Sequence, residues 1–175
     1  MNNPILIWQN NYRRCCIMTN NLSQKERLLL EDQKSHEELC IEKYTNYANQ
    51  AQDPVLKQLF NTYAQEEQQH LDTINQILTG QVPSMNQQGQ QSQQSQQMNL
   101  QSANTTGSVN KNDETLCKDM LATEKYVSST YDTTIFECVD SNIRQVLNHI
   151  QKEEQQHGEG IFNYMQSNGM YNVKY

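Results

Sequence analysis

The pentapeptide Glu66-Glu67-Gln68-Gln69-His70 returns 87 residues later as Glu153-Glu154-Gln155-Gln156-His157. The same offset pairs Asp32 with Asp119, Glu37 with Glu124, Tyr44 with Tyr131, Asp53 with Asp140 and Gln58 with Gln145. A chain with such a repeat is built from two copies of one unit, and here the shared letters are mostly polar. A duplicated unit that only had to fill a core would keep its apolar pattern and let its acids drift. Shared carboxylates and histidines point instead to a shared task.

Each copy reads as two helices. In the first, Leu30, Glu37, Ile41, Tyr44, Ala48 and Ala51 share one stripe, opened by a Ser23-x-x-Glu26 capping box and stopped at Gln52-Asp53-Pro54. The next stripe is Leu56, Phe60, Tyr63, Glu67, His70, Ile74 and Ile77, ending near Thr79-Gly80. The second copy gives Leu116, Met120, Glu124, Val127, Tyr131 and Cys138, then a turn and cap at Asp140, then Ile143, Leu147, Ile150, Glu154, His157, Ile161 and Tyr164. Gly169 closes it.

The spacing therefore predicts an all-α fold: a four-helix bundle of two duplicated hairpins, residues 22–80 and 112–168, joined by a Gln-rich flexible crossover linker over 81–111. Helices of about 25 residues are about 38 Å long at about 1.5 Å per residue. A flexible linker of this length spans roughly 30 Å and can stretch further. That permits the single long crossover of a ferritin-like bundle, with the second and third helices parallel. Residues 1–21 carry no helical period and read as a disordered tail, with Met18 a more natural start than Met1; residues 169–175 form a short C-terminal tail.

Composition narrows the function. A net charge of −7 argues against a nucleic-acid partner, which normally needs a basic footprint. No apolar run approaches a membrane span, and Ile5-Leu6-Ile7-Trp8 is too short for a signal-peptide core, so synthesis and folding in the cytoplasm are expected. Five cysteines without a C-x-x-C pair indicate free thiols rather than a disulfide framework or a zinc or rubredoxin-type knuckle. Cross-linking within an assembly is the other use for them.

The candidate site follows from the stripes. Glu37, Glu67, His70, Glu124, Glu154 and His157 sit among Leu, Ile, Tyr and Val positions and point inward. Glu37 lies 16 residues before the turn residue Asp53, with Glu67 and His70 14 and 17 after it; Glu124, Glu154 and His157 keep the same distances from Asp140. Antiparallel hairpins bring all six to one level. Four carboxylates cannot all stay ionised in an apolar interior without cations, and Lys and Arg are missing from the stripes at that height. Two divalent metal ions, iron or manganese by the donor set, are the economical solution. One Glu from each of two helices, with Glu-x-x-His from each of the other two, is the ligand pattern of di-metal carboxylate bundles. Without an ion the same groups would bond to one another and to tyrosines, partly protonated. Tyr44 and Tyr131, two turns beyond Glu37 and Glu124, are core residues or donors to the carboxylates. Glu66, Glu153, His36 and His149 read as surface residues.

The first hairpin, with Glu37 seven residues before Tyr44 and Glu-x-x-His at Glu67 and His70, resembles the erythrin domain of rubrerythrins. The second, ending Ile161-Phe162-Asn163-Tyr164-Met165-Gln166-Ser167-Asn168-Gly169-Met170-Tyr171, resembles the spore coat F family. By that resemblance Glu67 and Glu154 would bridge two metals, His70 and His157 would each bind one, and Glu37 and Glu124 would be terminal ligands. It implies a ferritin-like structural component of the endospore coat, with other coat proteins as partners and self-association expected. Many coat F members lack the metal ligands, whereas this chain has all six. The alternative is a rubrerythrin-like di-iron or di-manganese oxidase or peroxidase, although no rubredoxin-like module is present to deliver electrons.

Overall fold

The computed structural model describes residues 22–82 and 109–173, which form four α-helices: α1 Gln24–Gln50, α2 Pro54–Leu78, α3 Lys111–Glu137 and α4 Ser141–Ser167. No strand occurs among the described residues. The expected N-terminal tail with its Met18 start, and most of the Gln-rich linker, lie outside them.

The helix ends are where the local chemistry places them. Ser23 and Glu26 complete both halves of the capping box on α1, and Asp53 caps α2 with Pro54 in its first turn. Asn110 caps α3 and Asp140 caps α4. Gly80 and Gly169 follow α2 and α4 with φ of 86° and 68°, a conformation that glycine reaches without steric cost.

Helices α1 and α2 form one hairpin and α3 and α4 the other; α1 also packs on α3 and α2 on α4. Cross-hairpin contacts fix the directions. Gln33 meets Thr134, Lys43 meets Thr123 and Tyr47 meets Asp119, so α1 and α3 are antiparallel. Asp53 meets Tyr164 and Glu66 meets His157, so α2 and α4 are antiparallel too. Helices α2 and α3 are then parallel, as a single crossover requires. The end of α2 lies near Arg27 and the start of α3 near Gln52, at opposite ends of the bundle.

The repeat also organises the ends of the bundle. Asp113, at the start of α3, accepts from the backbone N–H groups of Gln52 and Asp53 in the other hairpin's turn. Glu26, its partner at the 87-residue offset, accepts from Val139 in the opposite turn. Each hairpin thus satisfies the turn of the other, and both carboxylates are buried while doing so.

The core contains every expected position of α2, α3 and α4. On α1 one position differs: Cys40 is fully buried, whereas Ile41 is only half-buried. The seam runs Leu30, Gln33, Glu37, Cys40, Tyr44, Ala48, stepping three residues rather than four after Glu37. Cys40, Cys117 and Cys138 are free thiols and all buried. Burial, with nearby carboxylates, pushes Cys117 up to about 12 and Cys138 to about 11. Free thiols are what the sequence indicated, and burial leaves these three unsuited to the cross-linking alternative; Cys15 and Cys16 lie outside the described residues.

Candidate metal centre

Glu37, Glu67, His70, Glu124, Glu154 and His157 meet at mid-height in the bundle, each at most 3% exposed. Their donor atoms fall into two sets, Glu37, Glu67, His70 and Glu154, and Glu67, Glu124, Glu154 and His157; within each set the atoms lie within 4.8 Å of one another. Glu67 and Glu154 belong to both. Donors about 2.1 Å from one octahedral ion are about 3.0–4.2 Å apart, so each set is close to the size of one coordination shell.

The imidazoles approach the carboxylates through one particular nitrogen. His70 Nδ1 lies 3.2 Å from Glu67 Oε2, 2.9 Å from Glu154 Oε1 and 3.6 Å from Glu37 Oε2. His157 Nδ1 lies 3.1 Å from Glu67 Oε1, 3.8 Å from Glu154 Oε2 and 3.9 Å from Glu124 Oε2. The other nitrogens face outward to a second pair of acids: His70 Nε2 to Glu153 at 3.1 Å, and His157 Nε2 to Glu66 at 2.8 Å. An ionised carboxylate can only accept, so an imidazole with acids at both nitrogens is either a cation or a metal ligand through Nδ1. Burial lowers the proton affinity of both rings, but the surrounding glutamates outweigh it and hold them well above the usual range. Burial, then the charges of Glu154 and Glu67, raise Glu124 well above an ordinary carboxylate.

Glu66 and Glu153 are not the solvated residues expected from the helical wheel. Their side chains are only 24% and 19% exposed, and each fixes the ring of the histidine on the facing helix. The contacts exchange under the repeat: Glu66 holds His157 and Glu153 holds His70. The signal was present in the first glutamate of each repeated pentapeptide. His149, read as a surface residue, is half-buried with Nε2 3.4 Å from Glu153 Oε1. His36 is also half-buried, edge-on to Tyr126.

Tyr44 and Tyr131 obey the same exchange. Tyr44 donates to Glu124 Oε1 and Tyr131 to Glu37 Oε1, and both tyrosines are fully buried. The second oxygens, Glu37 Oε2 and Glu124 Oε2, have no hydrogen-bond partner, nor has either oxygen of Glu154. These atoms face the centre, where no Lys or Arg reaches them among the described residues. His70 Nδ1 stands 2.9 Å from Glu154 Oε1 but is shared with Glu67, so these buried acceptors are poorly matched, which is costly and which a cation answers directly. The donor set, rich in carboxylate with one imidazole per set, fits iron or manganese.

One element breaks the symmetry. The Tyr63 ring lies 4.3 Å from that of His157, and its hydroxyl occupies the space where a Cβ on Gly160 would stand. The equivalent residues in the other copy, Ile150 and Thr73, cannot make this contact.

The fold and this centre define an all-helical bundle with a duplicated, buried carboxylate–imidazole core. Residues 112–174, which take in the second hairpin, match the family model of the Coat F domain. The first hairpin lies outside the matched residues. Comparison with curated proteins and with solved structures gives no match.

Proposed function

We propose that the protein is a structural component of the bacterial endospore coat, built on a ferritin-like bundle that holds two divalent metal ions. The coat assignment rests on the Coat F match over the second hairpin. The metal assignment rests on one observation: two donor sets that share Glu67 and Glu154, with four unpartnered buried carboxylate oxygens around the centre, Glu154 supplying two and Glu37 and Glu124 one each.

Glu67 and Glu154 would bridge, Glu37 with His70 and Glu124 with His157 would complete the two shells, and Tyr44 and Tyr131 would hold the terminal carboxylates in orientation. Glu66 and Glu153 would fix the tautomer that leaves Nδ1 free to bind. Bound metal would neutralise the acids and lock the two hairpins together, since each shell draws on both. Other coat proteins are the partners this role implies. No described helix is long and apolar enough to cross a membrane.

The complete donor set favours a second reading, a di-iron or di-manganese oxidase or peroxidase. Such an ion pair supplies redox chemistry when bound, and the protein's own part would be to hold it in a dry, tyrosine-lined core. One experiment separates the two. Protein taken from the coat fraction of spores is assayed for metal per chain and for peroxide turnover. Two metals without turnover support the structural role; two metals with turnover support the enzyme. Absence from the coat fraction contradicts the first reading.

A further inference from the structure

The two copies of the repeat differ in a way that opens one hairpin. Between α3 and α4 lies a cavity of about 550 Å³ whose walls include Glu124 and Glu154. Ser128 and Gly158 also line it, and at the 87-residue offset the first hairpin carries Ile41 and Leu71 in their places. Two small residues thus replace two bulky ones beside the shared carboxylate core. Three acids, Glu124, Glu154 and Asp132, face the groove against one base, Lys125. Glu124 and Glu154 are buried, and Glu124 Oε2 and both oxygens of Glu154 have no hydrogen-bond partner.

We propose that this groove is the port through which a divalent cation reaches the core, an inference that rests on the metal-binding reading above. The exposed rim at Lys125, Ser129 and Asp132 leads to Ser128 and Gly158 and then to the buried carboxylates of Glu124 and Glu154. An acidic lining favours a cation over an anion. A floor of carboxylate oxygens gives an entering ion successive ligands as it sheds water. Gly158 keeps the passage open: a Cβ there would stand at ordinary contact distance from Leu121 and Glu124, 3.7 and 3.8 Å, so alanine fits but a longer side chain projects into the groove.

The test uses Co²⁺ uptake by the full chain, followed by its absorption in stopped flow. The double variant Ser128→Ile, Gly158→Leu copies the first hairpin into the second. It is expected to load at least tenfold more slowly than the native chain, to the same final Co²⁺ content and with unchanged helicity. The converse variant Ile41→Ser, Leu71→Gly opens the other hairpin and is expected to load faster, which keeps the proposal exposed to failure if the plugged variant does not fold. Native Co²⁺ binding with equal rates in the folded variants overturns the port alone. A native chain that takes up no Co²⁺ overturns the metal centre itself.

Discussion

His157 Nε2 lies 2.8 Å from Glu66 Oε2 on the facing helix, and the reverse contact, His70 Nε2 to Glu153 Oε2, is 3.1 Å. Each ring is held from outside by an acid of the other hairpin, with Nδ1 turned to the carboxylate core. Replacing Glu66 or Glu153 by Gln keeps the shape and removes the charge. Either change is expected to weaken metal binding by about 10–100-fold while leaving the helical content intact. Competition with a chromophoric chelator measures this, and unchanged affinity in both variants would rule out that role for Glu66 and Glu153.

The hydroxyl of Tyr131 is the one donor to Glu37 Oε1 among the described residues. Tyr131→Phe leaves that oxygen buried and unsatisfied, at an expected cost of about 1–3 kcal/mol to the metal-free protein. With metal bound the loss should shrink, because the cation then neutralises Glu37. Denaturant unfolding with and without Mn²⁺ provides the comparison; equal losses in both states would place Tyr131 in the packing alone.

Much of this was legible in the sequence. Two helices joined by a tight turn rise equally per residue, so counting outward from Asp53 and Asp140 gives the heights of six ligand candidates without a structure. The capping chemistry of Ser23, Asp53 and Asp140 marked three helix starts in the same way. Flanking positions were harder. Glu66 is one residue from the seam and so about 100° round the helix, which reads as solvent on an isolated wheel. In a bundle that direction faces the neighbouring helix, and only the partner's His157 shows it. Ile41 and Cys40 differ by the same single step. The groove between α3 and α4 arises from small side chains on two helices at once, and no single stripe carries that information.

The metal-free protein should lose stability as pH rises. His70 and His157 hold protons more tightly when folded than the usual 6.5, so their contribution is complete below that value and is lost as pH climbs toward their raised folded values. Glu124, raised from 4.5, acts in the same direction and begins earlier. Glu26, Glu114 and Asp119 have lowered values and oppose this only in acid, where their contribution is lost as pH falls. Between about pH 5.5 and 8.5 the melting temperature of the metal-free protein should therefore fall, and saturating Mn²⁺ should remove or reverse the slope, since metal replaces the protons. A slope of opposite sign without metal would contradict the buried imidazolium arrangement.

Cys40, Cys117 and Cys138 are buried with raised thiol values, so three of the five thiols should react with a chromogenic disulfide reagent only after denaturation. Rapid modification of all five in the folded protein would contradict the packing around α1 and α3.

The most direct test counts ions on purified chains that differ at one shared and one unshared acid. Calorimetric titration with Mn²⁺ should give two equivalents for the native protein. Glu37→Gln, which touches one shell, should weaken one equivalent, and Glu154→Gln, which touches both, should weaken both together. A native chain that binds no Mn²⁺ or Fe²⁺, or a Glu154→Gln variant that retains full binding of two, would contradict the shared centre.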